Sequence, residues 1–298
     1  LLMRKLLTLL GAGVALLALL LALSWLWQQR ALQQSLQLPD SEYLLEVPAG
    51  ATPGGLLNQL QAEGVLNDAF WLRLYWRFNL AGQSLHSGEY RLTQGMTAIQ
   101  LLDQWRRGEV VQYSLTLVEG WNFRQVRAAL AQQAKLEQTI TELSDAELMT
   151  RLGWEGQHPE GWLFPDTYSY VSGMRDFDLL KQAGNRQQQV LAEEWEKRAA
   201  DLPYATPYQA LIMASLIEKE TGVAAEREQI AGVFVRRLGL RMLLQTDPTV
   251  IYGLGEAYQG NLTRAHLRQP TPYNTYVIAG LPPTPIALAG REAIYAAL

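Results

Sequence analysis

The residue types and spacings that could do chemistry gather around one carboxylate. Tyr208 to Glu220 reads YQALIMASLIEKE, and Ala210 to Ile217 is a run without charge. Helix formers and small residues fill it, and a helix that is apolar on every face is a buried helix. Glu218 follows. Ser215, Ala214 and Leu211 stand three, four and seven residues before it, so its carboxyl shares a face with the buried run. The small Ala214 and Ser215 leave room above that face. Burial disfavours the ionised form and raises a carboxyl pKa, and a helix ending near Gly222 would push the same way through its C-terminal dipole. A carboxyl that keeps its proton near neutrality can serve as a general acid. The same features also describe a structural Glu paired with a basic residue. Glu220, two residues on, points elsewhere.

Other polar groups stand in irregular chain. His158 to Tyr168 (HPEGWLFPDTY) carries two prolines and a glycine that bar a regular helix. Its aromatic residues predict a loop folded onto a site, with Glu160 and Asp166 as possible second carboxylates. In Gln245-Thr246-Asp247-Pro248, Asp247 as N-cap with Pro248 at the first helical position starts a helix by local rules, which explains Asp247 without catalysis. Pro272 to Tyr276 (PYNTY) and Gly280 to Pro283 are rigid chain that presents Tyr273 and Asn274, as ligand loops often do.

Several chemistries are excluded. With no Cys there are no disulfides, thiol nucleophiles or thiolate metal sites. His86, His158 and His266 stand apart and form no HExxH pair. There is no GxxxxGK[ST], GxGxxG or GxSxG, and Glu218 occupies the position where an SxxK motif starting at Ser215 would need Lys. A net charge of −4 without a basic patch argues against a nucleic-acid partner. Acid–base work by a carboxylate remains.

The elements that must position these groups follow an N-terminal anchor. Leu6 to Trp27 is uncharged and, at about 22 residues, long enough to cross a bilayer. Arg4 and Lys5 precede it and Trp25 and Trp27 close it. That pattern predicts an uncleaved transmembrane helix with a cytoplasmic N-terminus over 1–5 and everything after Gln28 outside. Met3 fits a true start, which would make Leu1 and Leu2 extraneous. Residues 28–42 read as a polar linker. A strand, a Gly turn and a capped helix then recur three times: Leu44 to Leu60 with Thr52 as cap, Tyr90 to Trp105 with Thr97, and Leu115 to Leu130 with Asn122. Ala69 to Phe78 (AFWLRLYWRF) is an aromatic helix whose stripe suits either a core or a sugar face. The repeat resembles a LysM-like βααβ module, a class that binds N-acetylhexosamine backbones, and is assigned to 43–112. The remainder, 113–298, is a larger mixed domain around the buried helix, so the fold class is α+β. In it, Leu136 to Gln157 reads as a polar helical connector and Asp176 to Leu202 as a solvated amphipathic support. Ala224 to Leu240 reads as a helix with Ile230, Val233, Phe234 and Leu238 on one face. The chain stops at Leu298 inside a helical pattern, so the native protein is expected to continue.

Five blocks together resemble the YceG-like family of membrane-anchored endolytic murein transglycosylases: EGWLFPDTY from Glu160, ASLIEKE from Ala214, QTDPTVIYGLG from Gln245, PYNTY from Pro272 and GLPP from Gly280. Their order and spacing and the N-terminal anchor agree over nearly the whole chain. The resemblance implies that Glu218, the first Glu of the EKE block, is catalytic. It implies cleavage of the β-1,4 bond between N-acetylmuramic acid and N-acetylglucosamine in nascent strands, leaving a 1,6-anhydro end. Glu160, Gln245, Asp247, Tyr273 and Asn274 are then candidates to bind sugar or orient Glu218. No metal or organic cofactor is implied. The expected partners are peptidoglycan strands, the inner membrane and cell-wall synthases, with the catalytic domain in the periplasm. A hydrolytic muramidase using Glu160 or Asp247 as a second carboxylate, and a non-catalytic glycan-binding scaffold, are the alternatives. Two departures fall near the end: Thr284 stands where the family's PPGP turn has Gly, and Ala287 to Gly290 reads ALAG where the family has an SNPG-like turn.

Overall fold

The structure is a computed structural model that describes residues 2–298, with side chains from residue 9 onward. Leu1 and the side chains of Arg4 and Lys5, which carry the expected anchor orientation, lie outside the described residues. The fold is mixed α and β, and the chain divides into two compact units, residues 1–112 with 171–173, and residues 113–170 with 174–298.

The first unit begins with α1 (Leu2–Gln33), a continuous helix whose apolar stretch is long enough to cross a membrane and is exposed on all sides. Its last turn enters a domain core. Ala31, Leu32 and then Leu36 are buried there, and the Gln34 side chain accepts from Asn67 N at 2.9 Å and donates to Asp68 O at 2.9 Å. The polar linker expected over 28–42 is corrected accordingly. Three apolar residues spaced among glutamines seat this segment in the fold, and Leu36 N donates to Met96 O at 2.8 Å.

Next come β1 (Glu42–Val47), α2 (Pro53–Ala62), α3 (Phe70–Asn79), β2 (Gly88–Thr93) and α4 (Ala98–Arg107). β1 and β2 pair antiparallel from Glu42↔Thr93 to Val47↔Gly88, giving the order β-α-α-β. Thr52 caps α2 by accepting from Gly55 N, and Thr97 and Gln100 form a capping box on α4, as the sequence spacing predicts. α3 buries Leu72 and Trp76.

The second unit contains β3 (Gln112–Thr116), α5 (Phe123–Ala131), α6 (Asp145–Leu152), β4 (Thr167–Val171), α7 (Asp176–Glu196), α8 (Pro207–Glu220), α9 (Ala224–Gly239), α10 (Asp247–Leu254), α11 (Arg264–Arg268) and α12 (Arg291–Ala297). β3 pairs with β4, so the third strand-turn-helix repeat belongs here. α8 runs through the core: Ala210 to Ile217 are all buried, packed mainly by α12, α9, α7 and α10.

Three expectations change. The polar connector over 136–157 is turns and the short α6, with Leu136, Ile140, Leu148 and Met149 in the core. α7 is a core helix, not a solvated support. It buries Leu179, Leu180, Ala183, Val190 and Leu191, together with Asp176, Gln187 and Glu194, whose polar character masks the inward face in the sequence. On α9 the inward pair is Ala231 and Phe234, while Val233 is exposed.

Candidate active site

Glu218 occupies the last turn of α8, which stops at Glu220 with Thr221 as C-cap, so the helix does end just before Gly222. Its side chain is 5 % exposed. Gly290 N donates to Glu218 Oε2 at 3.0 Å, and the Arg227 guanidinium on α9 stands 3.9 Å from Oε1. Burial pushes the Glu218 pKa up, and nearby Glu119 adds to the rise; Gly290 N–H, Arg227 and Lys219 oppose it. Both protonation states therefore have support, which a group that gives and regains a proton needs.

Two short backbone segments build the wall beside it. Gly120 N donates to Leu288 O at 2.9 Å, Leu288 N donates to Trp121 O at 2.7 Å, and Lys219 Nζ donates to Gly120 O at 3.2 Å. This ladder brings Glu119 against Gly290, where a Cβ would collide with the Glu119 carboxyl. A side chain at 290 would have to displace the Glu119 carboxyl from this place beside the amide donor. The room expected above Ala214 and Ser215 is filled by the same segment: both residues are fully buried, and Ser215 Oγ accepts from Ile286 N at 3.0 Å. Glu119 and Arg227 were missed by sequence reasoning. The fixed nine-residue step from Glu218 to Arg227, across a turn between two helices, is the one signal that could have found the second.

Glu160 is 3 % exposed and lines a cleft of about 600 Å³ together with Asn122, His158, Lys219, Tyr252 and Tyr273. Gly120, Lys219 and Ile286, neighbours of the Glu218 wall, also line this cleft, whereas Glu218 is not among its lining residues. Glu160 accepts from Phe123 N, at the start of α5, at 3.0 Å and from the Tyr252 hydroxyl at 2.9 Å. Burial nonetheless raises its pKa to about 7. The loop that carries it is pinned by ring stacking, with Trp162 parallel to Tyr208 at 5.4 Å and to Trp154 at 6.1 Å. Gly161, at φ +80°, leaves no space for a Cβ beside Pro285.

The other candidates separate. Tyr273 lines the cleft, meets Tyr252 edge-on at 4.8 Å and shares a hydrogen bond with the Thr284 hydroxyl at 2.9 Å. Asn274 faces inward. It is 1 % exposed, its amide donates to the carbonyls of His266, Leu267 and Gln269, and its Oδ1 accepts from Tyr276 N. In this arrangement its side chain anchors the loop. Asp247 is exposed and is the first residue of α10 rather than its cap, which is Thr246. The Tyr276 hydroxyl donates to Asp247 Oδ1 at 2.6 Å, and Thr246 donates to Glu220 Oε2 at 2.7 Å, so Glu220 faces this second cluster and not Gly290. Gln245 is exposed at φ +54°, its N–H donating to Thr275 O. It lines a shallow groove with Glu220, Phe234 and Arg237 and is absent from the lining of the Glu160 cleft. Asp166 is exposed, and its carbonyl accepts from Leu117 N. Among the described residues no three His, Asp or Glu gather as metal ligands would.

Comparison with known proteins places this geometry in context. The chain is 30 % identical to a Bacillus subtilis protein named endolytic murein transglycosylase, over 85 % of this chain and 74 % of that protein. It is 25 % identical to a Streptococcus pneumoniae protein of the same name over 83 % of this chain, and spans 50 % of that relative's length. A crystal structure of a YceG-like protein from Listeria monocytogenes matches 86 % of this chain and 90 % of its own, with TM-score 0.53 and 29 % identity. The profile of the YceG-like family matches residues 45–298, and the chain belongs to that family.

Proposed function

We propose that this protein is an endolytic murein transglycosylase with Glu218 as its acid and base. Its relatives carry that name, and the observation that bears most weight on the residue is the buried carboxyl of Glu218, its pKa raised by burial, hydrogen-bonded to Gly290 N. In this mechanism protonated Glu218 donates to the glycosidic oxygen as the bond from the N-acetylmuramic acid C1 breaks. The sugar's own C6 hydroxyl attacks the oxocarbenium-like centre, forms the 1,6-anhydro bond and gives its proton to the Glu218 carboxylate. No water is consumed, and one carboxyl suffices where a glycoside hydrolase uses two. Gly290 N–H and Arg227 hold the carboxylate between the two transfers, and Glu119 biases the resting residue toward its protonated form. The strand lies along the cleft beside Lys219, with Tyr273 and Glu160 contacting sugar. Gln245 and Asp247, on the other side of α8's end, are outer contacts for a long strand.

The β-α-α-β unit over 43–112 supports a glycan-holding role of the LysM-like kind, and α1 supports an inner-membrane anchor with both units in the periplasm, next to the synthases that make nascent strands. A second mechanism is favoured by one observation: Glu160 lines the cleft and has a pKa of about 7, as a hydrolytic acid would. Mass spectrometry of murein digested by the full-length chain separates the possibilities. Internal cuts ending in 1,6-anhydro sugars support the transglycosylase, reducing ends indicate a muramidase acting through Glu160, and uncut strands indicate a scaffold.

A further inference from the structure

The mechanism leaves one conspicuous surface unused. α3 reads FWLRLYWRFN and holds no acidic residue. Residues four apart share a helix face. Leu72 and Trp76 face the core, whereas Phe70, Leu74 and Phe78 stand on another face, with Phe70 53 % and Phe78 73 % exposed. Trp71 and Tyr75 flank that stripe half-buried, and Arg73 and Arg77 lie on its other side. An exposed apolar stripe of this kind marks a candidate interaction surface.

The partner follows from where α3 sits. The side chain of Gln34, one residue beyond α1, binds the backbone of Asn67 and Asp68, and α3 starts at Phe70 and packs against α1. α1 itself runs unbroken from its apolar stretch into the core of this unit, so the unit lies directly on the membrane surface if α1 spans the bilayer. We infer that α3 is an interfacial helix that seats Phe70, Leu74 and Phe78 among the headgroups and upper acyl chains of the same bilayer that α1 crosses. Trp and Tyr at the margin and Arg beside an apolar face are the composition such helices use, with guanidinium groups reaching lipid phosphates. A stacked sugar is the weaker fit. Glycan sites surround their rings with carboxylates and amides, whereas this face offers guanidinium groups, one of them already bonded to Asn58. The consequence is a fixed attitude of the first unit on the membrane, set by two contacts instead of one.

The inference rests on reading α1 as a bilayer span, so the experiment probes both. The chain has no Cys, and a single Cys therefore carries one label unambiguously. Fluorophores are placed at Phe78→Cys, at Leu17→Cys in α1, and at Glu46→Cys, exposed near the far end of β1, in the full chain reconstituted into phosphatidylethanolamine–phosphatidylglycerol vesicles. The label at 78 should lose most of its emission to nitroxides at the headgroup level, the label at 17 to nitroxides deep in the acyl region, and the label at 46 only to aqueous iodide. Deep quenching at 17 with iodide quenching at 78 would overturn the interfacial helix while keeping the anchor. Protection at 78 from both lipid nitroxide and iodide would assign the face to a protein partner or a second copy. Protection that appears only on adding murein strands would assign it to glycan. Loss of deep quenching at 17 would remove the span and the inference with it.

Discussion

At Glu218 opposing influences meet around one carboxyl: burial and Glu119 favour the proton, Gly290 N–H, Arg227 and Lys219 favour its loss. Glu119→Gln removes only the repulsion and keeps the shape. The Glu218 pKa should then fall, so the alkaline limb of kcat/KM for murein cutting should move to lower pH. Activity lost near neutrality should return on acidification, which a purely structural defect would not do. Glu160 gives a different signature, in stability. Its pKa is raised in the fold from the usual 4.5 to about 7, so the stabilisation from its neutral form is complete below about 4.5 and is lost as pH rises through about 7. Glu160→Gln stays neutral throughout. Its melting temperature should therefore gain on the wild type between pH 5 and 8, with a ceiling of roughly 3 kcal/mol. Parallel pH–stability curves would mean that Glu160 titrates normally.

Elements show how much could be read before folding. Capped helices after Thr52, Thr97 and Asn122 were legible because a cap and its partner lie within three residues. So was α8, whose apolar run allows no solvated face, and with it the burial of Glu218. Strand pairing was not legible: β3 chooses β4 across the intervening α5 and α6, a contact with no local signal. Nor was the filling of the face above Ser215, which depends on a segment more than seventy positions away. Buried polar residues misled in both directions. Gln187 and Glu194 disguised a core helix, and Asn274 looked like a ligand group because its type and loop setting suit both roles. Asn274 now has a definite duty, tying the carbonyls at the end of α11 to the turn that begins at Thr271. Asn274→Ala removes the hydrogen bonds this buried amide makes to those carbonyls and to Tyr276 N, and should cost about 1–3 kcal/mol in denaturant unfolding. KM for murein should be unchanged at a temperature where the variant is folded; a raised KM with unchanged stability would restore Asn274 as a sugar contact.

The whole molecule joins an apolar helix, a small unit continuous with it and a larger unit that carries Glu218, the proposed acid. Because Ala31, Leu32 and Leu36 seat the end of α1 in the first unit's core, that unit cannot swing on a free stalk. A reporter fused after Leu240 should be active only outside the cytoplasm, and the mature protein should retain Leu6 to Trp27. Cytoplasmic reporter activity, or a mature chain that begins after Trp27, would contradict the anchor. The proposed catalysis rests on one carboxyl, and Glu218→Gln tests it most directly. Gln preserves volume and can still hydrogen-bond, but cannot give a proton to the leaving oxygen or take one from the C6 hydroxyl. Since one group serves both transfers, the rate of 1,6-anhydro end formation, followed by mass spectrometry on murein strands, should fall by about 10⁴-fold, the upper end for acid–base catalysis. Melting should be unchanged or slightly improved, because no desolvated charge remains at 218. Wild-type rates of anhydro end formation by a folded Glu218→Gln protein would contradict the assignment and turn the search to Glu160.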